Sequence, residues 1–192
     1  MRLVEAFASI QGESTHAGRP CFFLRLAGCN LRCSYCDTGY AQSAEAGRPS
    51  EIPELVELVR NSGLKLVEIT GGEPLLTPET PALCRALLDA GCEVLIETNG
   101  SLSIAPLPAE ACRILDCKLP GSGMAEANDY GNYAWLTPRD EVKFVVSSRE
   151  DFEFACDVIR RYDLAAKTPN LLFRPVWGRV EFADLAAWVV ES

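Results

Sequence analysis

Histidine is almost absent from this chain: His16 is the only one among 192 residues. That scarcity argues against a zinc knuckle completed by histidine, because His16 stands thirteen residues ahead of the first clustered cysteine, outside the usual paired spacing. Basic residues are in deficit too, with 18 Lys and Arg against 27 Asp and Glu and a net charge of -9. A duplex or tRNA substrate needs a basic face to meet its phosphates, so nucleic acid is not expected as a partner. No apolar run approaches the length needed to span a bilayer. Low-complexity tracts, long linkers and internal repeats are lacking, so residues 1–192 read as one domain, and 48% hydrophobic content lets it bury a sizeable core.

Cysteine is what the chain has in excess. Nine cysteines without a secretory leader point to a reducing cytoplasm rather than to disulfides. Three of them, Cys29, Cys33 and Cys36, fall in the run CNLRCSYCDT, spaced so that one tight loop presents three thiolates. A four-iron, four-sulfur cluster that only carries electrons is normally held by four thiolates, so three imply an iron with an exchangeable ligand. Gly28 and Asn30 flank the first cysteine and leave the backbone uncrowded. The other six cysteines, at 21, 84, 92, 112, 117 and 156, sit singly in apolar stretches, as small core residues do.

Short apolar strands alternate with amphipathic helices. The pattern predicts strands over Cys21–Ala27, Lys65–Thr70, Glu93–Glu97, Arg113–Cys117, Val142–Val146 and Leu171–Pro175. Helices are predicted over Pro53–Asn61, Pro78–Ala90 (opened by Thr77, closed by Gly91), Arg149–Tyr162 and Phe182–Val190. Strand then helix, repeated, means a parallel sheet with crossover helices. Six strands are too few for an eight-fold barrel, so the expected architecture is α/β: a partial, open (β/α)6 barrel whose chemistry gathers where strands end. Residues 39–50 and 124–138 lack helical periodicity and are expected to cover or shape the pocket.

The cysteine run, followed by TGGEP at residues 70–74 and ETNG at 97–100, resembles the radical S-adenosylmethionine (radical SAM) superfamily. Within it, SIQGES at 9–14, FFLRLAGC leading into the cysteines, the threonine after CD, and DCKLPGSG at 116–123 resemble the 7-carboxy-7-deazaguanine synthases, over most of the chain from Phe7 to about Trp188. The resemblance implies a lyase that binds one 4Fe-4S cluster on Cys29, Cys33 and Cys36, S-adenosylmethionine and Mg2+. Its implied reaction converts 6-carboxy-5,6,7,8-tetrahydropterin to 7-carboxy-7-deazaguanine with loss of ammonia, on the way to queuosine. A flavodoxin or ferredoxin is the implied electron donor.

The same resemblance places Gly71, Gly72 and Glu73 at the methionine end of the cofactor, with Tyr35, Asp37, Glu97, Asn99 and Lys118 elsewhere around it. It places Gln11, Gly12, Glu13, Arg25 and Thr70 at the substrate, and Thr38 on magnesium, a hard cation that prefers oxygen. Several of these residues also have a plainer reading. Glu73 caps the helix that follows; Glu97 and Asn99 form a turn ahead of Gly100; Arg25 is a surface arginine, although its apolar neighbours favour a buried, paired guanidinium. Thr38 is an ordinary turn residue, and Lys118 and Lys143 either each put a cation near the cofactor carboxylate or adenosine or simply end strands at solvent.

Members of this family usually continue into a basic tail after the last helix, whereas this chain stops at Ser192. Trp177, in FRPVWG, stands where a polar substrate contact is expected, with Arg174 nearby. The stripe Leu185, Trp188 and Val189 is either a homodimer face or core against the sheet. Two other function classes stay open: an activating enzyme for a glycyl-radical protein, and a non-catalytic metal-binding module.

Overall fold

A computed structural model describes all residues 1–192. Strand β1 (Arg2–Ile10) turns back into β2 (Pro20–Leu26), followed by the two-residue β3 (Arg48–Pro49) and helix α1 (Ile52–Ser62). Then come β4 (Leu66–Gly71), α2 (Thr80–Asp89), β5 (Glu93–Thr98), β6 (Cys112–Cys117), β7 (Glu141–Val146), α3 (Arg149–Tyr162), β8 (Asn170–Pro175) and α4 (Phe182–Glu191). The strands form one sheet in the order β3-β1-β2-β4-β5-β6-β7-β8. From β2 to β8 every neighbouring pair is parallel, so the six expected strands are present and the barrel stays open.

Two strands went unforeseen. β1 pairs antiparallel with β2, and β3 pairs antiparallel with β1. The register of β1 shifts between Leu3 and Glu5, and that irregularity breaks the period-two alternation by which a strand announces itself. The predicted opening of α2 also moves: the helix begins at Thr80 behind Glu79, and Thr77 instead closes a 3-10 turn over Pro74–Leu76. α3 falls where predicted, with the Ser148 hydroxyl accepting from the Asp151 amide.

Because side chains alternate along a strand, the sheet has two different faces. Leu24, Leu26, Val67, Ile69, Val94, Ile96, Leu115, Val142, Phe144 and Val146 face the helices in the main core. The inner positions split into layers. Cys21, Leu66, Leu95, Cys112 and Ile114 form a separate apolar cluster. One strand step further on lie Glu68, Glu97, Asp116 and Lys143, charged groups that need partners to be tolerated inside. The C-terminal stripe is divided: Leu185 is buried and Trp188 packs on Phe152, so both serve this chain's own core, while Val189 stays exposed. No helix is long and apolar enough to cross a membrane.

Candidate active site

A cavity of about 670 Å³ opens at the ends of the parallel strands, and the three clustered cysteines form part of its wall. Their loop is pinned on several sides. The Gly28 and Cys29 amides donate to the Ala41 and Gln42 carbonyls at 2.8 and 3.1 Å, and the Glu73 amide donates to the Gly28 carbonyl at 2.7 Å. On the far side Ser34 donates through its amide to Ser122 O at 3.0 Å and through its hydroxyl to Gly121 O at 2.8 Å. The packing is so close that a Cβ at Gly72 would lie 2.2 Å from the Gly28 carbonyl oxygen and 2.9 Å from Cys29 Cβ, so only glycine fits. Cys29 Sγ accepts from the Leu31 amide at 3.4 Å and from Asn99 Nδ2 at 3.8 Å, the kind of donors that stabilise a ligating thiolate. All three thiols are free. This cradle fits a cluster held by three cysteines.

The cavity is lined by Gln11, Gly12, Glu13, Arg25, Tyr35, Asp37, Thr38, Thr70, Gly71, Gly72, Glu97, Asn99 and Lys118, thus by every residue expected from the sequence except Glu73. Glu73 is fully buried, with one carboxylate oxygen accepting from Leu75 N at 2.9 Å and Thr98 Oγ1 at 2.8 Å, and the other from Asn99 N at 2.6 Å. It caps the 3-10 turn after β4 rather than the helix α2 that its plainer reading named, and ties TGGEP to ETNG. Residues 124–138 shape the site from behind: Asn128 bonds the Lys118 amide and carbonyl, each at 2.8 Å. None lines the cavity; Asn132 instead holds the Gly100 and Leu102 carbonyls, packing that stretch beside the β5–β6 connection.

The end of the cavity away from the cysteines is built by the β1–β2 hairpin. Gln11 Nε2 donates to Glu68 Oε2 at 2.6 Å, and Gln11 Oε1 accepts from the amides of Glu13 at 2.6 Å and Ser14 at 3.1 Å. Glu13 reaches across the sheet to Lys143 Nζ at 3.0 Å and to Arg174. Lys143 also pairs with Glu97 and lies 4.0 Å from Asp116, which Lys118 approaches to 2.8 Å. Burial pushes the Glu68 carboxyl up to about 8, with the neighbouring Glu97 charge adding to the effect. Asp116 is equally enclosed, yet the ammonium groups of Lys118 and Lys143 outweigh burial and hold its carboxyl below the usual range. With Glu68 neutral, three carboxylates (Glu13, Glu97, Asp116) meet three cations (Lys118, Lys143, Arg174). Asp116 Oδ1 is buried and has no hydrogen-bond partner, an acceptor left facing the site.

Arg25 is paired as its apolar surroundings required: its Nε donates to Glu5 Oε1 at 2.6 Å, and the Tyr40 hydroxyl donates to the same oxygen at 2.7 Å. The Thr38 hydroxyl donates to Asp37 Oδ1 at 2.7 Å at the exposed mouth. Tyr35 donates to Val145 O at 3.2 Å, and burial raises its phenol.

The family model of the radical SAM superfamily matches residues 24–163. A 7-carboxy-7-deazaguanine synthase of Koribacter versatilis is 39% identical over 206 residues, covering 100% of this chain and 90% of the relative. The chain belongs to the 7-carboxy-7-deazaguanine synthase family of radical SAM enzymes. The family's member in Chlorobaculum tepidum is 40% identical over 195 residues, with 100% and 87% covered. The crystal structure of QueE from Escherichia coli shares the fold at TM-score 0.77 and 21% identity, covering 99% of this chain and 90% of that one. Membership makes this a radical SAM lyase of deazapurine biosynthesis that uses a 4Fe-4S cluster and S-adenosylmethionine.

Sequence reasoning passed over Glu68 and Asp116. Glu68 stands in the apolar run LVEIT, where a lone glutamate at an inward position is itself a signal. Asp116 opens DCKLPGS, a motif read for its lysine alone. Lys143 was read as a cation near the cofactor and Arg174 as a substitute substrate contact, but not as partners of Glu13, which lies more than a hundred residues away in the chain.

Proposed function

We propose that this cavity converts 6-carboxy-5,6,7,8-tetrahydropterin to 7-carboxy-7-deazaguanine, with release of ammonia. The observation that carries the reading is a single cavity with three thiols at its mouth and a hairpin-borne carboxylate, Glu13, at its far end. Cys29, Cys33 and Cys36 would hold the cluster, which with S-adenosylmethionine supplies a primary carbon radical able to remove an unactivated hydrogen.

The protein's own work is placement and exclusion of water. Gly71 and Gly72 let the methionine end lie against backbone. Glu97 and Asn99 face the ribose, with Lys118, Tyr35 and Asp37 alongside. Gln11 spends its amide on fixing Glu13 and Glu68, so Glu13 is the group that receives the donor edge of the pterin ring beside the Gly12 backbone. Arg25 and Thr70 take the substrate carboxylate, and its charge-assisted pairing with a guanidinium fixes the ring's orientation. Thr38, with Asp37 holding its hydroxyl, is the oxygen ligand for Mg2+, whose remaining positions water and substrate fill. A flavodoxin- or ferredoxin-type protein delivers the electron.

Anaerobic turnover with the carboxypterin, with and without magnesium, tests this reading. Deazapurine should form, more slowly without the metal, and Thr38→Ala should blunt the response to it. Cofactor cleavage that ignores the pterin and answers to a partner protein would instead make the chain an activating enzyme.

A further inference from the structure

At the edge of the apolar layer beneath the cavity, three residues from three separate elements converge. His16 comes from the β1–β2 hairpin, Cys112 from the start of β6 and Glu141 from the start of β7, and one ligand atom of each lies within 4.8 Å of the others. Cys112 Sγ is 3.8 Å from Glu141 Oε1. A second observation is independent of that cluster. Glu141 has no exposed surface, and while its Oε1 accepts from the Thr15 amide at 3.1 Å and hydroxyl at 2.6 Å, its Oε2 has no partner at all. A buried carboxylate with a bare oxygen is costly unless a cation meets it.

The arginine beside His16 is already committed. Arg19 is held by Glu93 through contacts of 2.5 and 3.1 Å. His16 Nδ1 sits against Arg19 Nη1 and 3.5 Å from Glu93 Oε1, so binding a metal through Nε2 takes the tautomer whose Nδ1–H turns to the Glu93 carboxylate. A carboxylate within reach of one ring nitrogen, with the metal on the other, is the usual arrangement of a metal-bound imidazole.

We propose that His16, Cys112 and Glu141 bind a zinc ion, separate from the iron-sulfur cluster and at the opposite end of the barrel. A thiolate and a carboxylate neutralise the dication, and one neutral imidazole with a water at the half-buried His16 side completes four-coordination. The metal fastens the hairpin that carries Gln11 and Glu13 to β6 and β7, so its effect on catalysis is one of positioning.

The test uses cluster-loaded protein supplied with zinc and freed of excess metal. About one zinc per chain should remain beside the irons, with an absorption-edge signature of a single sulfur near 2.3 Å and nitrogen or oxygen near 2.0 Å. His16→Gln lies on the hairpin, where folding is least at risk, and should lower zinc affinity at least about tenfold while iron content and far-UV dichroism hold steady. Cys112→Ser should remove the sulfur scatterer. Zinc that shows three sulfurs belongs to the cysteine loop and overturns the proposal. So does the absence of retained zinc, or retention unchanged in His16→Gln.

Discussion

Gln11 Nε2 and Glu68 Oε2 stand 2.6 Å apart, joining the β1–β2 hairpin to the inner face of β4 in a fully enclosed bond. Glu68 is buried with no lysine or arginine bonded to it, and its carboxyl is pushed from the ordinary 4.5 up to about 8. A raised carboxyl favours the folded state while protonated, and that contribution drains away as pH climbs from 4.5 through about 8. Glu68→Gln keeps an acceptor for Gln11 and removes the titration. Its melting temperature should therefore fall less than that of the unaltered protein between pH 5 and 8, as thermal scans across that range will register.

Glu73 satisfies three donors from two loops without meeting the cavity. Glu73→Ala leaves two buried amides and a hydroxyl unpaired, each costing about 1–3 kcal/mol. The cluster-free protein should lose stability in urea titrations, a loss that a residue serving only the cofactor would not produce.

Arg113 and Asp140 form a buried ion pair, 3% and 0% exposed, with Asp140 also accepting from the Arg113 and Thr137 amides. Asp140→Ala strands the guanidinium and should cost about 3–5 kcal/mol. Denaturant midpoints will show it, and the metal content of the folded fraction should stay normal.

Lys143 neutralises Glu97 and Glu13 together. Lys143→Met should reduce turnover by at least about a hundredfold, through misplacement of both carboxylates. Cys33→Ala should lose cluster and turnover alike, read from the visible spectrum and product assay.

Asp163 ends α3 with φ of +49°, the left-handed region where a side chain is strained. Asp163→Gly relieves that strain and should stabilise by about 0.5–1 kcal/mol in equilibrium unfolding.

The parallel half of the fold was legible because a strand followed by a helix repeats a local signal, and the strand-end motifs then fell on one rim. β1 was not, since its pairing is shifted and the face it shares with the cavity mixes Glu5 with Phe7. At the site, residues within short motifs were readable, whereas Glu68, Asp116 and Arg174 derive their meaning from partners that only folding brings near. Glu73 sat inside a motif and still served the neighbouring loop, because a carboxylate's spacing to the cysteines says nothing of which way it turns.

The antiparallel start of the sheet has a consequence for how such a protein diversifies. On the proposed reading, the residues assigned to cluster and cofactor ride on the loops after β2, β4, β5 and β6, while Gly12 and Glu13, assigned to the pterin ring, arrive on the nine residues between β1 and β2. The ring edge would thus be met by a stretch of chain separate from the cysteine loop, so that replacing this one short turn would retune which ring is accepted while the spark is left alone.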